Sequence, residues 1–403
     1  MTNSIEKGDG MAGAARVAAA AGTGSGVAAS AKTAAKAAEA ALAGYVAGTL
    51  EILAPSSSAI LLSRAGKKLV ERYERGPRPQ SAAPVDADSL WPFWSISKSF
   101  AAALVARLAF GGVLGLDMAL SRALPEFAER GPGPFDRRKV TLSHLMSHTS
   151  GCALSGRIED GVTLGPPPVL SEVLIATEPG SVFEYSSLGM HVLERFLEAL
   201  TGSDYGELLR GEVLEPFGLG SVRFLYEEDI AAEAAGPEAA PGAIAGTGRA
   251  GRAAPATRAT REATRAASRA LPCLDGKVVA SQPRQRCGLG LYGTARDLLA
   301  FGEAWLSMRD TSGKPWCDAA IRDELWSRHS TRSSDASDYG LLWWLFDDLG
   351  GRVASGASYS LCALLPRENI VAVVARNHFG PGLQPFDYRS DKRRILELAR
   401  AFR

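Results

Sequence analysis

The sequence predicts an α+β protein: an antiparallel sheet flanked by N- and C-terminal helices, with a mostly helical lobe inserted between the halves of the sheet. Three features predict it. Strand-like segments cluster at the two ends of the chain, at 58–73 and 352–375, with a tight turn inside each cluster. A helical pattern precedes the first cluster and another follows the second. Between them the apolar spacing is mostly helical. At 403 residues the chain can hold one large domain or two lobes.

Taken in order, residues 1–30 are Ala, Gly and Ser with little to bury and are expected to be a disordered tail. Residues 31–94 and 335–403 are expected to form the α/β lobe, and 95–334 the helical lobe. From Ala31 to Leu53, an apolar stripe of Leu42, Tyr45, Val46, Leu50 and Leu53 predicts a helix that Pro55 ends. Ser58 to Ser63 and Lys68 to Tyr73 flank a glycine-bearing turn and read as a hairpin. An apolar run from Ala101 to Phe110 reads as a buried helix stopped by Gly111-Gly112. Thr141 to Met146 is a short helix leading into a turn at Thr149-Ser150-Gly151.

Met190 to Leu200 is amphipathic, with Gly202 placed for a left-handed cap, and Tyr205 to Leu214 continues as helix up to Pro216. From about 227 to 270 the composition turns to Ala, Gly, Pro, Thr and Arg, a low-complexity insertion. Gly293-Thr294 introduces a further helix. Strands follow at Arg352–Ser355, Ser360–Leu365 and Ile370–Ala375, and Ser390-Asp391 is expected to cap a closing helix with Ile395, Ala399 and Phe402 on one side.

Composition excludes more than it selects. A net charge of +1, with 46% hydrophobic and 22% charged residues, gives no general case for nucleic acid or an anionic membrane as partner. No apolar stretch is long enough for a membrane span. Arg16, Val17 and the alanine run faintly resemble a signal peptide but lack its leucine-rich centre, so a cytoplasmic location is expected. The five cysteines are scattered and read as free thiols in a reducing compartment, with Cys273–Cys287 left open as a pair.

The stretch Phe93-Trp94-Ser95-Ile96-Ser97-Lys98-Ser99-Phe100 carries the chemistry. On a helix, positions i and i+3 share a face, so the Ser95 hydroxyl and the Lys98 amine would be neighbours. A serine needs a nearby base to become a nucleophile, and a helix start offers unpaired N–H groups to a developing negative charge. The spacing alone arises by chance in a chain this long.

Other candidates read more plainly. His144 and His148 stand at i, i+4 without the glutamate or third ligand of a zinc site, and are expected to stabilise a turn. Gly246-Thr247-Gly248-Arg249-Ala250-Gly251 matches G-x-G-x-x-G but has no strand before it. Arg258, Arg261, Arg265 and Arg269 could share a helix face, yet no aromatic residue accompanies them, and a solvated segment is expected. The G-x-S-x-G elbow of α/β-hydrolases is absent.

Several pieces then line up in one order. The Ser95 stretch resembles the nucleophile motif of the serine β-lactamase and penicillin-binding-protein superfamily, in its class C and esterase branch. Leu124-Pro125-Glu126-Phe127, Thr141 to Gly151, Pro179-Gly180, Phe183-Glu184-Tyr185-Ser186-Ser187, Glu215 to Leu219, Gly290 to Leu298 and Tyr339 to Trp344 resemble that branch's later landmarks. The likeness covers about 53–374 outside the insertion.

The resemblance implies a β-lactamase/transpeptidase-like fold, acylation of Ser95 and hydrolysis of the acyl-enzyme. Tyr185 matches the branch's tyrosine beside the serine and lysine. An amine and a phenol both titrate near 10 in water, so the pair is expected to work as a unit; which takes the serine proton stays open. Ala354-Ser355-Gly356-Ala357 falls at the third motif, implying an oxyanion hole from the N–H groups of Ser95 and Ala357, with Gly356 admitting substrate close to the backbone. Ser187 and Ser355 are candidate substrate contacts, although Ser355 could equally be a plain strand residue.

Two departures point away from drug resistance. Ala354 stands where β-lactamases carry lysine or histidine, and Ser187 replaces an asparagine. The expected activity is therefore a carboxylesterase on small esters, with no metal or organic cofactor. Amidase, D-amino-acid peptidase, β-lactamase or acyltransferase chemistry on the same residues is the alternative, and a non-catalytic binding protein the alternative of another class. The sequence gives no oligomeric state.

Overall fold

The computed structural model describes residues 33, 36–53, 57–76, 84–129, 131–154, 169–234, 270–271, 278–281, 286–330, 338–378 and 386–403. The tail at 1–30, the arginine stripe, the G-x-G-x-x-G string and Cys273 lie outside the described residues.

Helix α1 spans 36–52. Strands β1 (Ser58–Arg64) and β2 (Lys67–Glu74) form the expected hairpin. It turns at Ala65 and Gly66, whose φ of +50° and +75° suit a two-residue turn that follows the strand twist. Strand β3 (Trp91–Pro92) leads into a 3₁₀ turn, Trp94–Ile96, and helix α2 (Ser97–Phe110). Then come α3 (Pro125–Ala128), α4 (Leu142–Met146), β4 (Cys152–Leu154), β5 (Val173–Ile175), α5 (Ser187–Thr201) and α6 (Tyr205–Leu209). These are followed by β6 (Arg223–Phe224), α7 (Glu227–Ala234), β7 (Leu291–Gly293), α8 (Ala295–Ser307) and α9 (Ala319–Leu325). The chain ends with β8 (Asp338–Tyr339), β9 (Trp344–Phe346), β10 (Gly351–Ser355), β11 (Leu361–Leu365), β12 (Ile370–Arg376) and α10 (Tyr388–Arg400).

The main sheet runs β2-β1-β12-β11-β10-β9-β8, with every neighbouring pair antiparallel. It is built from both ends of the chain: β1 pairs with β12 from Ser58↔Arg376 to Arg64↔Ile370. Both faces are covered, because alternate side chains of a strand point to opposite sides. Ile60, Leu62, Val353, Ala363 and Val374 pack with Leu42, Val46 and Leu50 of α1 and Ile395, Leu396 and Ala399 of α10. Ala59, Leu61, Cys362, Leu364 and Val371 join the larger core that holds α2 and α8. Helix α2 is buried along almost its whole length, as suits its apolar run from Phe100 to Ala106.

The α+β expectation holds, with local corrections. The closing helix starts at Tyr388 and is capped by Asp387, which accepts from the N–H groups of Arg389 and Ser390; Ser390-Asp391 is not the cap. Asp391 turns inward instead and meets the fully buried Arg376 at 2.9 Å, with the Tyr45 hydroxyl hydrogen-bonded to both. Tyr45 therefore joins a polar hub linking α1, β12 and α10 rather than a purely apolar stripe. The predicted helix 205–214 changes at Leu209 into a π turn over Arg210–Leu214. Cys152, Cys287, Cys317 and Cys362 are buried and free. No helix among the described residues is long and apolar enough to cross a membrane.

Candidate active site

The Ser95 turn is strained and braced. Trp94 has φ of +47°, a conformation a bulky side chain adopts only where its surroundings impose it. Burial of the indole supplies part of that imposition. The Phe93 N–H donates to the Leu291 carbonyl at 2.9 Å, and Ile96 N–H donates back to the Phe93 carbonyl at 3.0 Å. Ser95 is half-buried in the first turn, where backbone N–H groups lack partners within the helix.

Lys98, one turn on, is almost wholly buried. Its Nζ donates to Ser95 Oγ at 2.9 Å and to the Gly288 carbonyl at 2.9 Å, and stands 4.8 Å from the centre of the Tyr185 ring. Gly288 is itself fixed. The Glu194 carboxylate accepts from the backbone N–H of Arg286 at 2.8 Å and of Cys287 at 3.4 Å, and pairs with the Arg286 guanidinium at 3.0 Å.

Tyr185 is held by aromatic packing and by its chain neighbours. The Glu184 N–H donates to the His148 carbonyl at 2.8 Å, and the Ser186 N–H to His148 Nδ1 at 3.2 Å. The His148 ring lies 4.3 Å from that of Tyr185, while Trp344 stacks on Tyr185 at 6.2 Å and 11°. Burial, and then the charge of Lys98, push the His148 pKa well down. The ring is neutral, and with Nδ1 accepting, its proton is on Nε2.

The segment Ala354–Ala357 closes against the Ser95 turn. A β-carbon on Gly356 would meet the Phe93 carbonyl oxygen at 2.2 Å, so only glycine lets the end of β10 sit there. Gly356 thus admits the backbone of Phe93. Ser358 Oγ adds a bond to the Pro92 carbonyl at 3.2 Å. Ala357 is half-buried, and its N–H has no partner among the described residues.

The structure thus gathers Ser95, Lys98 and Tyr185, with Gly356–Ala357 next to the serine turn. Ser187 is the first residue of α5, after the capping Ser186, whose side chain accepts from Gly189 N–H at 2.9 Å. Ser355 is buried at the end of β10. Ala354 is buried in the larger core. His144 caps α4, its Nδ1 accepting from Thr141 N–H at 3.2 Å. Among the described residues no three His, Cys, Asp or Glu groups stand together as a metal site would need. Sequence reasoning missed the Gly288 carbonyl, Glu194 and the roles of Trp344 and His148, because each acts through a partner remote in the chain.

A family model described as Beta-lactamase matches residues 12–399. The chain belongs to the Beta-lactamase family. This family member is 33% identical over 151 residues to "Penicillin-binding protein 4" of Amycolatopsis lactamdurans, covering 36% of this chain and 39% of the relative. It is 30% identical over 188 residues to "Esterase EstB" of Burkholderia gladioli, covering 42% and 47%. The chain spans less than half the length of these curated relatives. Among solved structures, "EstCE1, a hydrolase with promiscuous acyltransferase activity" superposes with a TM-score of 0.60 at 18% identity over 89% of this chain and 98% of that one. A penicillin-binding protein homologue from Caulobacter crescentus gives 0.60 at 16% identity over 86% and 92%. At such identities the structural likeness carries the fold, a β-lactamase/transpeptidase-like one.

Proposed function

We propose that the chain is a serine hydrolase that carries the acyl group of a small carboxylic ester on Ser95 and releases it to water. The observation that carries this reading is the 2.9 Å contact between Lys98 Nζ and Ser95 Oγ beneath the Tyr185 ring. Ser95 Oγ attacks the ester carbonyl carbon while its proton passes to the Lys98–Tyr185 pair. The carbonyl oxygen, now negative, is held by the N–H groups of Ser95 and Ala357. The tetrahedral intermediate collapses, the alcohol leaves with the proton returned by the pair, and Ser95 is left as an ester. Water then repeats the sequence, releasing the carboxylic acid and the free serine. General acid–base catalysis of this kind supplies about 10²–10⁴-fold, and each oxyanion donor about 10²–10³-fold.

Ala354 supports esters over β-lactams. The third motif offers no cation for a substrate carboxylate, and Ala354 itself is buried. The test is turnover of a para-nitrophenyl ester and a chromogenic cephalosporin side by side. Ester turnover that dominates supports the assignment; efficient cephalosporin turnover with slow ester turnover overturns it.

A further inference from the structure

We infer that Tyr388, on α10, is a positioning residue that aims the Ala357 N–H into the oxyanion hole. This rests on the proposed acyl-enzyme reading. The Tyr388 hydroxyl is enclosed by the turn that follows β10. It accepts from Gly356 N–H at 3.0 Å, and its single proton lies between the carbonyl oxygens of Gly356 at 2.9 Å and Ser360 at 2.7 Å. Tyr359 N–H also donates to the Gly356 carbonyl, at 2.9 Å.

The Gly356 carbonyl and the Ala357 N–H belong to one peptide unit. That unit is planar and trans, so its C=O and N–H point in opposite directions. Fixing the carbonyl on Tyr388 and Tyr359 therefore turns the Ala357 N–H away from α10. On the far side Gly356 abuts the Phe93 carbonyl, two residues before Ser95. A hydrogen bond to the carbonyl also polarises the peptide and makes its N–H a better donor. Burial keeps the Tyr388 phenol protonated by raising its pKa far above the usual range. The ring is set edge-on to Tyr359, 5.0 Å between centres, and has Lys392 Nζ 4.6 Å above it.

Tyr388→Phe tests the inference. The variant keeps the ring, and the turn retains Gly356 N–H to the Ser360 carbonyl at 2.9 Å and Tyr359 N–H to the Gly356 carbonyl. The expected result is a fall in kcat on the order of 10-fold with KM changed by less than about twofold, since the bond strengthens only as charge develops. In the trapped acyl-enzyme the ester carbonyl stretch moves to higher wavenumber, a signature that loss of packing does not produce. Tyr388→4-aminophenylalanine, which restores a donor at the same place, recovers part of kcat. That variant carries the test if the phenylalanine form does not fold. An unchanged kcat and carbonyl stretch in the variant would overturn the inference, as would a loss confined to KM. Fluorophosphonate labelling separates the two levels. Wild type that fails to label at Ser95 sinks the acyl-enzyme reading and this inference with it. Wild type and Tyr388→Phe labelling at equal rates sink only the role of Tyr388.

Discussion

Gly356 lies so close to Phe93 that a β-carbon would stand 2.2 Å from the Phe93 carbonyl oxygen. The contact joins the end of β10 to the turn that presents Ser95, and it ties the geometry of one to the other.

Gly356→Ala is therefore expected to force these two backbones apart. Overpacking of this kind costs about 1–3 kcal/mol. Displacement of the adjacent Ala357 N–H should lower esterase kcat by roughly 10²-fold, the cost of one oxyanion donor. Urea unfolding and steady-state kinetics on the same preparation check both.

Tyr185→Phe removes a hydroxyl and keeps the ring that contacts Trp344, His148 and Lys98. The melting temperature should hardly move, while kcat falls by about 10²–10⁴-fold, the range of a general acid–base group. Near-wild-type kcat in this variant would remove Tyr185 from the proton-transfer pair.

His148 gives a pH signature. Its pKa is depressed in the folded state, so the unfolded chain binds the extra proton first as pH falls. Stability from this group is complete above the unfolded value of about 6.5 and is lost as pH drops below it. His148→Asn keeps an acceptor for the Ser186 N–H, tolerates the φ of +56° and does not titrate. The difference in urea midpoint between wild type and variant should shrink between pH 7 and pH 5.

Asp391→Asn strips the negative partner from Arg376, whose side chain is 0% exposed. Breaking a buried pair from one side costs about 3–5 kcal/mol. Because the pair joins β12 to α10, equilibrium unfolding should show the full loss, with no change expected in which residue is acylated.

The parts of the fold legible in the sequence are those set by local chemistry. The 58–73 hairpin, the Gly202 end of α5 and the turn before β12 follow from strand alternation and from glycine or asparagine at positive φ, whereas α5 starts at Ser187, ahead of the expected Met190. Where a residue's partner is distant, local reading fails. Asp391 looked like a cap and is an ion-pair partner of Arg376; Tyr45 looked like core and is hydrogen-bonded to both. In the site, the spacing of Ser95 and Lys98 announced their contact, because three residues along a helix is a local relation. The Gly288 carbonyl, His148 and Trp344 reach the same place through tertiary packing that no spacing encodes.

Intact-mass spectrometry after exposure to a fluorophosphonate probe tests the central claim most directly. The wild-type chain should gain the mass of one phosphonyl group, mapped by digestion to Ser95, and Ser95→Ala should gain none. A wild-type chain that stays unmodified, or a Ser95→Ala chain that labels equally, would contradict the account.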